Sequence, residues 1–127
     1  MNILKSAVVA FSLAISMGTF STTAVAYEEG RTTFSPIDAI NMTVERAQAA
    51  KAAIGAGADA MEVADLIKKA SDTTKEINAN DVVDRNRQRA NGHFKKARRA
   101  AKKGDLEGAT KHLDKGIEGM EKLKGML

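Results

Sequence analysis

The chain has 127 residues and a net charge of +4, with 20 Lys and Arg against 16 Asp and Glu, and it contains no Cys. The absence of Cys excludes disulfides, thiolate metal sites, iron–sulfur clusters and covalent c-type haem. Because Ala and Lys are abundant, Pro occurs once and aromatic residues make up 4%, the composition predicts a small all-α domain and excludes an aromatic stacking platform.

The first 26 residues have the pattern of an export leader. Lys5 supplies a positive charge, residues 7–20 are largely apolar, and Ala24-Val25-Ala26 offers the small side chains that a signal peptidase requires. The apolar stretch is too short and too interrupted by Ser and Gly for a membrane-spanning helix. We therefore predict a signal peptide over residues 1–26, cleavage after Ala26 and a periplasmic mature protein.

Residues 27–35 carry charges but no helical periodicity, and they are predicted to form a mobile N-terminal arm. The first helix then begins at Pro36, with Ser35 as its cap, and runs to about Ile54. The segment 55–59 ends this helix, because it contains two Gly residues in succession with Ala.

Three further helices are predicted after this break. Asp59 can cap a second helix that runs to about Asn78, and the turn that follows contains Asn and Asp residues able to cap the third. The third helix ends at Gly104, because glycine tolerates the left-handed backbone that closes a helix. Asp105 can then cap the fourth helix, which ends with Gly125.

Each predicted helix has one apolar stripe at three- and four-residue spacing. The stripe of the first helix contains Ile37, Ile40, Val44, Ala47 and Ile54. That of the third contains Val83, Ala90, Phe94, Ala97 and Ala101. In the second and fourth helices, the stripes align at a constant offset of 46 residues, and the aligned positions are Val63, Ile67, Thr74 and Ile77 with Ala109, Leu113, Met120 and Leu123.

This internal similarity predicts two copies of one helical hairpin. A single hairpin cannot bury its apolar stripe, so two copies with short connections are expected to close on each other. We therefore predict that residues 36–127 form an up-down-up-down antiparallel four-helix bundle. Because the stripes are rich in Ala, little apolar area is buried per residue, and we expect modest stability.

Charge is distributed unevenly between the two hairpins. Residues 27–81 contain 6 Lys and Arg against 10 Asp and Glu, a net charge of −4, whereas residues 82–127 contain 13 against 6, a net charge of +7. The third helix carries much of the excess, in Arg85, Arg87, Arg89, Lys95, Lys96, Arg98, Arg99, Lys102 and Lys103. One interpretation is a solvated face whose charges partly pair with the acidic hairpin. The other is a patch that binds lipid headgroups, lipopolysaccharide or an acidic protein.

The segment from His93 to Met120 carries a further pattern, strongest in Gly104-x-x-x-x-Ala109-Thr110-Lys111-His112. This hairpin resembles the small metal-binding protein family of bacterial periplasms, and the similarity extends more loosely to residues 37–77 and to the leader. Members of that family are His-rich four-helix bundles that bind several divalent metal ions, copper among them, through imidazoles. The resemblance implies that this chain binds or buffers a divalent metal ion, Cu²⁺ first and otherwise Zn²⁺ or Ni²⁺.

The chain retains only two His residues, so a reduced metal capacity is expected. Where the family has further His, this sequence has Ala100, Asp105 and Gly119. Neither His93 nor His112 has a second ligand three or four residues away on its own helix, which is the simplest chelating arrangement.

The two His residues could instead form one metal site that is shared between two helices. His93 lies 11 residues before Gly104 and His112 lies 8 after it, an offset of about 4–5 Å in an antiparallel pair at 1.5 Å per residue. Two imidazoles at one level could hold copper or zinc, with water completing the coordination shell. The alternative is two unrelated surface His residues.

No other pattern in the sequence indicates chemistry. The Asp and Glu residues form no paired constellation with a candidate acid or base, and Ser and Thr lack a triad. We therefore expect no enzymatic activity and no haem. The main hypothesis is a metal-binding or metal-buffering bundle with the ligands His93 and His112. The alternative is an interaction module whose basic third helix binds an acidic protein or an anionic membrane surface. Nucleic acid is not expected as a partner of an exported protein.

Overall fold

The computed structural model describes residues 34–127. The predicted signal peptide and most of the predicted arm lie outside these residues. The described part contains four α-helices and two short 3₁₀ turns but no strand, which confirms the all-α prediction. The helices are α1 (Pro36–Gly55), α2 (Ala60–Thr73), α3 (Asp81–Lys102) and α4 (Leu106–Leu123), and the 3₁₀ turns are Thr74–Glu76 and Lys124–Met126.

Each α-helix is immediately preceded by a polar residue whose side chain accepts a hydrogen bond from a free backbone N–H of the first turn. The side-chain oxygens accept these hydrogen bonds at donor–acceptor distances of 2.9 to 3.2 Å. This geometry is that of an N-cap. The four capping residues are Ser35, Asp59, Asn80 and Asp105. The predicted helix starts are confirmed, and Asn80 is the cap of α3.

The two hairpin turns have the same backbone structure. Gly57 and Gly104 have φ values of 80° and 84°, in the left-handed region that favours glycine. In the second turn the N–H of Gly104 donates to Ala101 O and that of Asp105 to Ala100 O, each at 2.9 Å. Equivalent bonds close the first turn, so both helices end in a Schellman motif.

The second helix is shorter than predicted, because α2 ends at Thr73 and continues as a 3₁₀ turn. The hydroxyl of Thr73 donates to Lys69 O at 2.6 Å, and that of Thr74 donates to Ser71 O at 2.7 Å. Side chains that bond to preceding carbonyls compete with the regular helical pattern, and β-branched residues are also stiff. The α-helix therefore gives way to the tighter 3₁₀ turn at Thr74.

Each helix packs against its neighbour in sequence, and α1 also packs against α4. Two contacts show that α3 and α4 run antiparallel, since Gly116 faces Phe94 while Gly119 faces Ala90. A Cβ built on Gly119 would lie 2.9 Å from the Cβ of Ala90, closer than side chains normally approach. The two glycines therefore allow α3 and α4 to lie unusually close together.

All eight positions that align at the 46-residue offset are buried, and so is the whole predicted stripe of α3. The prediction for α1 is correct in part: Ile40 and Ala47 are buried, and Val44 and Ile54 pack partly against the core, but Ile37 is not part of the inward face, which includes smaller residues instead. Ile37 is 40% exposed, whereas Ala39 and Thr43 are fully buried. The Thr43 hydroxyl donates to Ala39 O at 2.9 Å and so carries no unmet hydrogen bond into the core. Within residues 34–127, no helix has the length and apolarity needed to cross a membrane.

Candidate metal centre

The structure brings the two predicted ligands together between α3 and α4. The ring centroids of His93 and His112 are 6.3 Å apart, and the rings are inclined by 21°. Their register follows from the close packing of these helices: Phe94, the next residue after His93, lies against Gly116, which is one turn after His112. The contact between Phe94 and Gly116 therefore holds the two imidazoles in register.

Both imidazoles have a nitrogen without a protein partner. The Nδ1 atoms of His93 and His112 are buried, and neither forms a hydrogen bond within the described part of the chain. Buried side-chain nitrogens are nearly always satisfied, so two such atoms on facing rings call for an explanation. An imidazole nitrogen with a free lone pair is the commonest metal ligand in proteins. The donor set fits a divalent transition metal.

The surroundings favour neutral imidazole. Burial lowers the pKa of His93 below its usual value of 6.5, and the positive charges of Lys96 and Lys115 lower it further, together with His112. Metal binding requires the deprotonated ring, so no proton has to be displaced from His93 at neutral pH. The same two ammonium groups repel a bound cation, and they limit the affinity of the site.

Within the described residues, the His pair offers two candidate nitrogen ligands. No group of three or more His, Asp or Glu side chains is close enough to share an ion within residues 34–127. Lys115 occupies the position three residues after His112, and Lys96 the position three residues after His93. Water would have to complete the coordination shell of an ion held by this pair.

The three positions at which the resembling family carries His have other roles here. Asp105 uses its carboxylate to accept the Gly108 N–H at 2.9 Å and cap α4. Gly119 has no room for a side chain against Ala90. Ala100 is half-buried and packs against the core. In this chain Asp105 thus serves capping, and Gly119 serves close helix packing.

A second polar feature lies between α2 and α3, where a groove is lined by residues of both helices. The sequence indicated the basic face of α3 but missed the contribution of α2. The residues that line the groove are Lys68, Ser71, Asp72, Lys95, Arg98, Arg99 and Lys102. In the sequence, the only indication of the α2 residues is the four-residue spacing of Lys68 and Asp72, which places them on one helix face.

Comparisons with known protein families, characterised proteins and solved structures find no match to this chain. The similarity of the second hairpin to the small metal-binding family stays a prediction. The geometry of the His pair and of the groove is therefore the basis for assigning a function.

Proposed function

We propose that this protein is a non-enzymatic, exported helical bundle that binds or buffers one divalent transition-metal ion through His93 and His112. The observation that carries this proposal is the stacked imidazole pair with two buried, unpartnered Nδ1 atoms. A bound ion would give these nitrogens the partner that they lack. We also propose that the protein is of the small metal-binding type and that it has lost most of the His ligands found in that family.

Copper is the preferred ion on chemical grounds. Imidazole binds copper, zinc and nickel, and affinity for divalent ions of the first transition row is highest for Cu²⁺. With two protein ligands and two nearby Lys side chains, the affinity should suit reversible buffering better than permanent storage. The bound ion would contribute positive charge at the α3–α4 contact, and the imidazoles would hold it there.

The proposal also includes the up-down-up-down bundle made of two hairpins. It is supported by the matching Schellman turns, by the burial of all aligned positions and by the contact of α1 with α4. A periplasmic location after cleavage at Ala26 belongs to the same proposal, and the leader pattern of residues 1–26 supports it.

Isothermal titration calorimetry with Cu²⁺ tests the metal site. We expect one or at most two weak sites in the purified protein, and their loss in both His112→Ala and His93→Ala. The matched control is Gln48→Ala, because Gln48 is an exposed neutral side chain of α1, and this variant should bind as the parent does. Several tight sites, or binding that survives His112→Ala, would contradict the proposal. Elemental analysis of protein purified from its native source would identify the ion.

The second candidate function is an interaction module that binds an acidic protein or an anionic membrane surface through α3. The basic side chains of this helix that are exposed support it: Arg85, Arg89, Lys95, Lys96, Arg99 and Lys102. Such binding would weaken steeply with salt and would persist in His112→Ala. Sedimentation with anionic vesicles at two salt concentrations separates this candidate from the metal-binding function.

A further inference from the structure

The groove between α2 and α3 has features of a site for a small anion. Its volume is about 360 Å³, at the lower end of the roughly 300–1,000 Å³ typical of ligand pockets. Five of its seven lining residues are cationic, and they come from two helices that pack against each other. Cations from separate elements that converge on one concave surface concentrate positive potential there.

Most of this positive charge is uncompensated. Asp72 is the only acidic residue of the lining, and its carboxylate pairs with Lys68 at 2.8 Å. The hydrogen bond from Lys68 lowers the pKa of Asp72 below its usual value, and the positive charges of Lys68, Lys75 and Arg98 lower it further, so this carboxylate stays ionised. In the described part of the chain, the other four cations of the groove form no ion pair: Lys95, Arg98, Arg99 and Lys102.

Arg98 provides a second, independent observation. Its Nε is buried and has no hydrogen-bond partner within residues 34–127, and Arg98 is one of the residues that line the groove. A buried N–H donor without an acceptor is costly, because it has lost water and gained no hydrogen bond in return. An oxyanion in the groove would supply the missing acceptor. The planar fork of Arg suits phosphoryl oxygens, which can accept two parallel N–H bonds.

We propose that this groove binds a small phosphoryl anion of two or more negative charges, either free in solution or as a phosphomonoester headgroup. Four cations without an ion pair match a multivalent phosphoryl group better than the single charge of a carboxylate. The hydroxyl of Ser71 also lines the groove, although it donates to Asn91 Oδ1 at 2.6 Å. Arg98 is the residue that positions the anion, and Lys95, Arg99 and Lys102 surround it with charge.

The anion site is independent of the His pair. At 3.6 residues per turn, Arg98 and Lys102 lie on the side of α3 roughly opposite His93. His93 faces α4, whereas the groove lies toward α2. Loss of one site therefore leaves the other in place, and a failed metal titration would leave the anion site untouched.

Calorimetric titration with inorganic pyrophosphate tests the site, with the full chain in phosphate-free buffer at low ionic strength. We expect one pyrophosphate per chain and at least a roughly tenfold weaker affinity in Arg98→Ala, since the hydrogen bonds lost are charge-assisted. Arg98→Lys keeps the charge but lacks the fork, and it should weaken binding several-fold. The matched control is Arg85→Ala: it removes the same charge from an exposed position about 20 Å away along α3, and it should change affinity less than about twofold.

A parallel measurement identifies the source of the phosphoryl group. Binding is measured to vesicles that contain phosphatidic acid, and to phosphatidylcholine vesicles as the uncharged comparison. Binding of free pyrophosphate that depends on Arg98 supports a soluble ligand. Binding to phosphatidic acid alone, with the same dependence on Arg98, supports a lipid headgroup.

Three results would overturn the proposal. The first is equal weakening by Arg98→Ala and Arg85→Ala, which would indicate diffuse charge instead of a site. The second is no binding of pyrophosphate or of phosphatidic acid. The third is tighter binding of a poly-glutamate peptide than of pyrophosphate, which would indicate an acidic protein. If circular dichroism shows that an Arg98 variant is unfolded, Lys95→Ala replaces it, because Lys95 is exposed and its loss should still weaken pyrophosphate binding several-fold.

Discussion

Replacement of Gly116 by Ala tests whether the α3–α4 contact is as close as the structure indicates. An added Cβ would meet the ring of Phe94, the largest fully buried side chain, and would lie 2.7 Å from its Cδ1. A contact of that length requires the ring or the helix to move. Since Phe94 is surrounded by core, the movement cannot be confined to a flexible side-chain end.

The expected size of the effect follows from two opposing terms. Ala in place of Gly inside a helix stabilises by about 0.5–1 kcal/mol, whereas overpacking of a core destabilises by about 1–3 kcal/mol. Gly92→Ala is the matched control, because a Cβ at this position of α3 meets nothing within 4 Å. Gly92→Ala should therefore raise the free energy of unfolding, and Gly116→Ala should fall about 1–3 kcal/mol below it.

Urea denaturation followed by circular dichroism measures this difference. In a domain of this size, 1 kcal/mol corresponds to a shift of about 4–8 °C in Tm, so thermal melts give a second reading. In a Phe94→Leu background the penalty at Gly116 should shrink, because the two sites are in contact. If Gly116→Ala stabilises as much as Gly92→Ala does, the close α3–α4 contact is refuted, and the register of the His pair is refuted with it.

Three further measurements test the turns and the titrating groups. Asp105→Ala removes the cap of α4 and should lower the free energy of unfolding by about 1 kcal/mol, whereas the exposed mid-helix change Glu118→Ala should be nearly neutral; equal effects would argue against capping. Gly104→Ala forces an alanine to a φ of 84° and should destabilise by about 1–2 kcal/mol in denaturant titrations; no change would show that the turn adjusts freely. The folded pKa of His93 is below the unfolded value of 6.5, so the unfolded chain binds more protons and stability should fall as the pH drops below about 6.5. His93→Gln should remove this part of the dependence, while the contribution of Asp72, whose folded pKa lies below 3.8, should be lost only in more acid solution; an unchanged pH profile in His93→Gln would contradict this assignment.

Copper binding should also depend on pH. Because the ligating imidazoles must be deprotonated, copper affinity should be higher at pH 7 than at pH 5, and the gain should disappear in His112→Ala. Calorimetry with copper at the two pH values measures this difference. A copper affinity that is independent of pH would mean that ligands other than imidazole hold the ion.

The turns and caps could be predicted from the sequence because they depend on a few neighbouring residues. Ser35 before Pro36, and Gly104 before Asp105, have strong local preferences that tertiary packing does not override. The stripe of α3 was equally clear, since its few apolar positions stand out among charged ones. In α1 the apolar residues surround much of the helix, so periodicity alone identified the buried Ile40 and Ala47 but also selected the exposed Ile37. Tertiary packing buries the face that contains Ala39 and Thr43.

Of the functional features, some could likewise be predicted from the sequence and others depend on the tertiary structure. The approximate level of His93 and His112 could be worked out by counting from the turn, because a hairpin with a short connection has a known rise per residue. The free Nδ1 atoms, the depressed pKa of His93 and the groove at Arg98 depend on distances between residues far apart in the chain. Local preferences fix where helices begin and end, but burial and charge at a site are sums over every element that packs around it, and only the folded arrangement determines those sums.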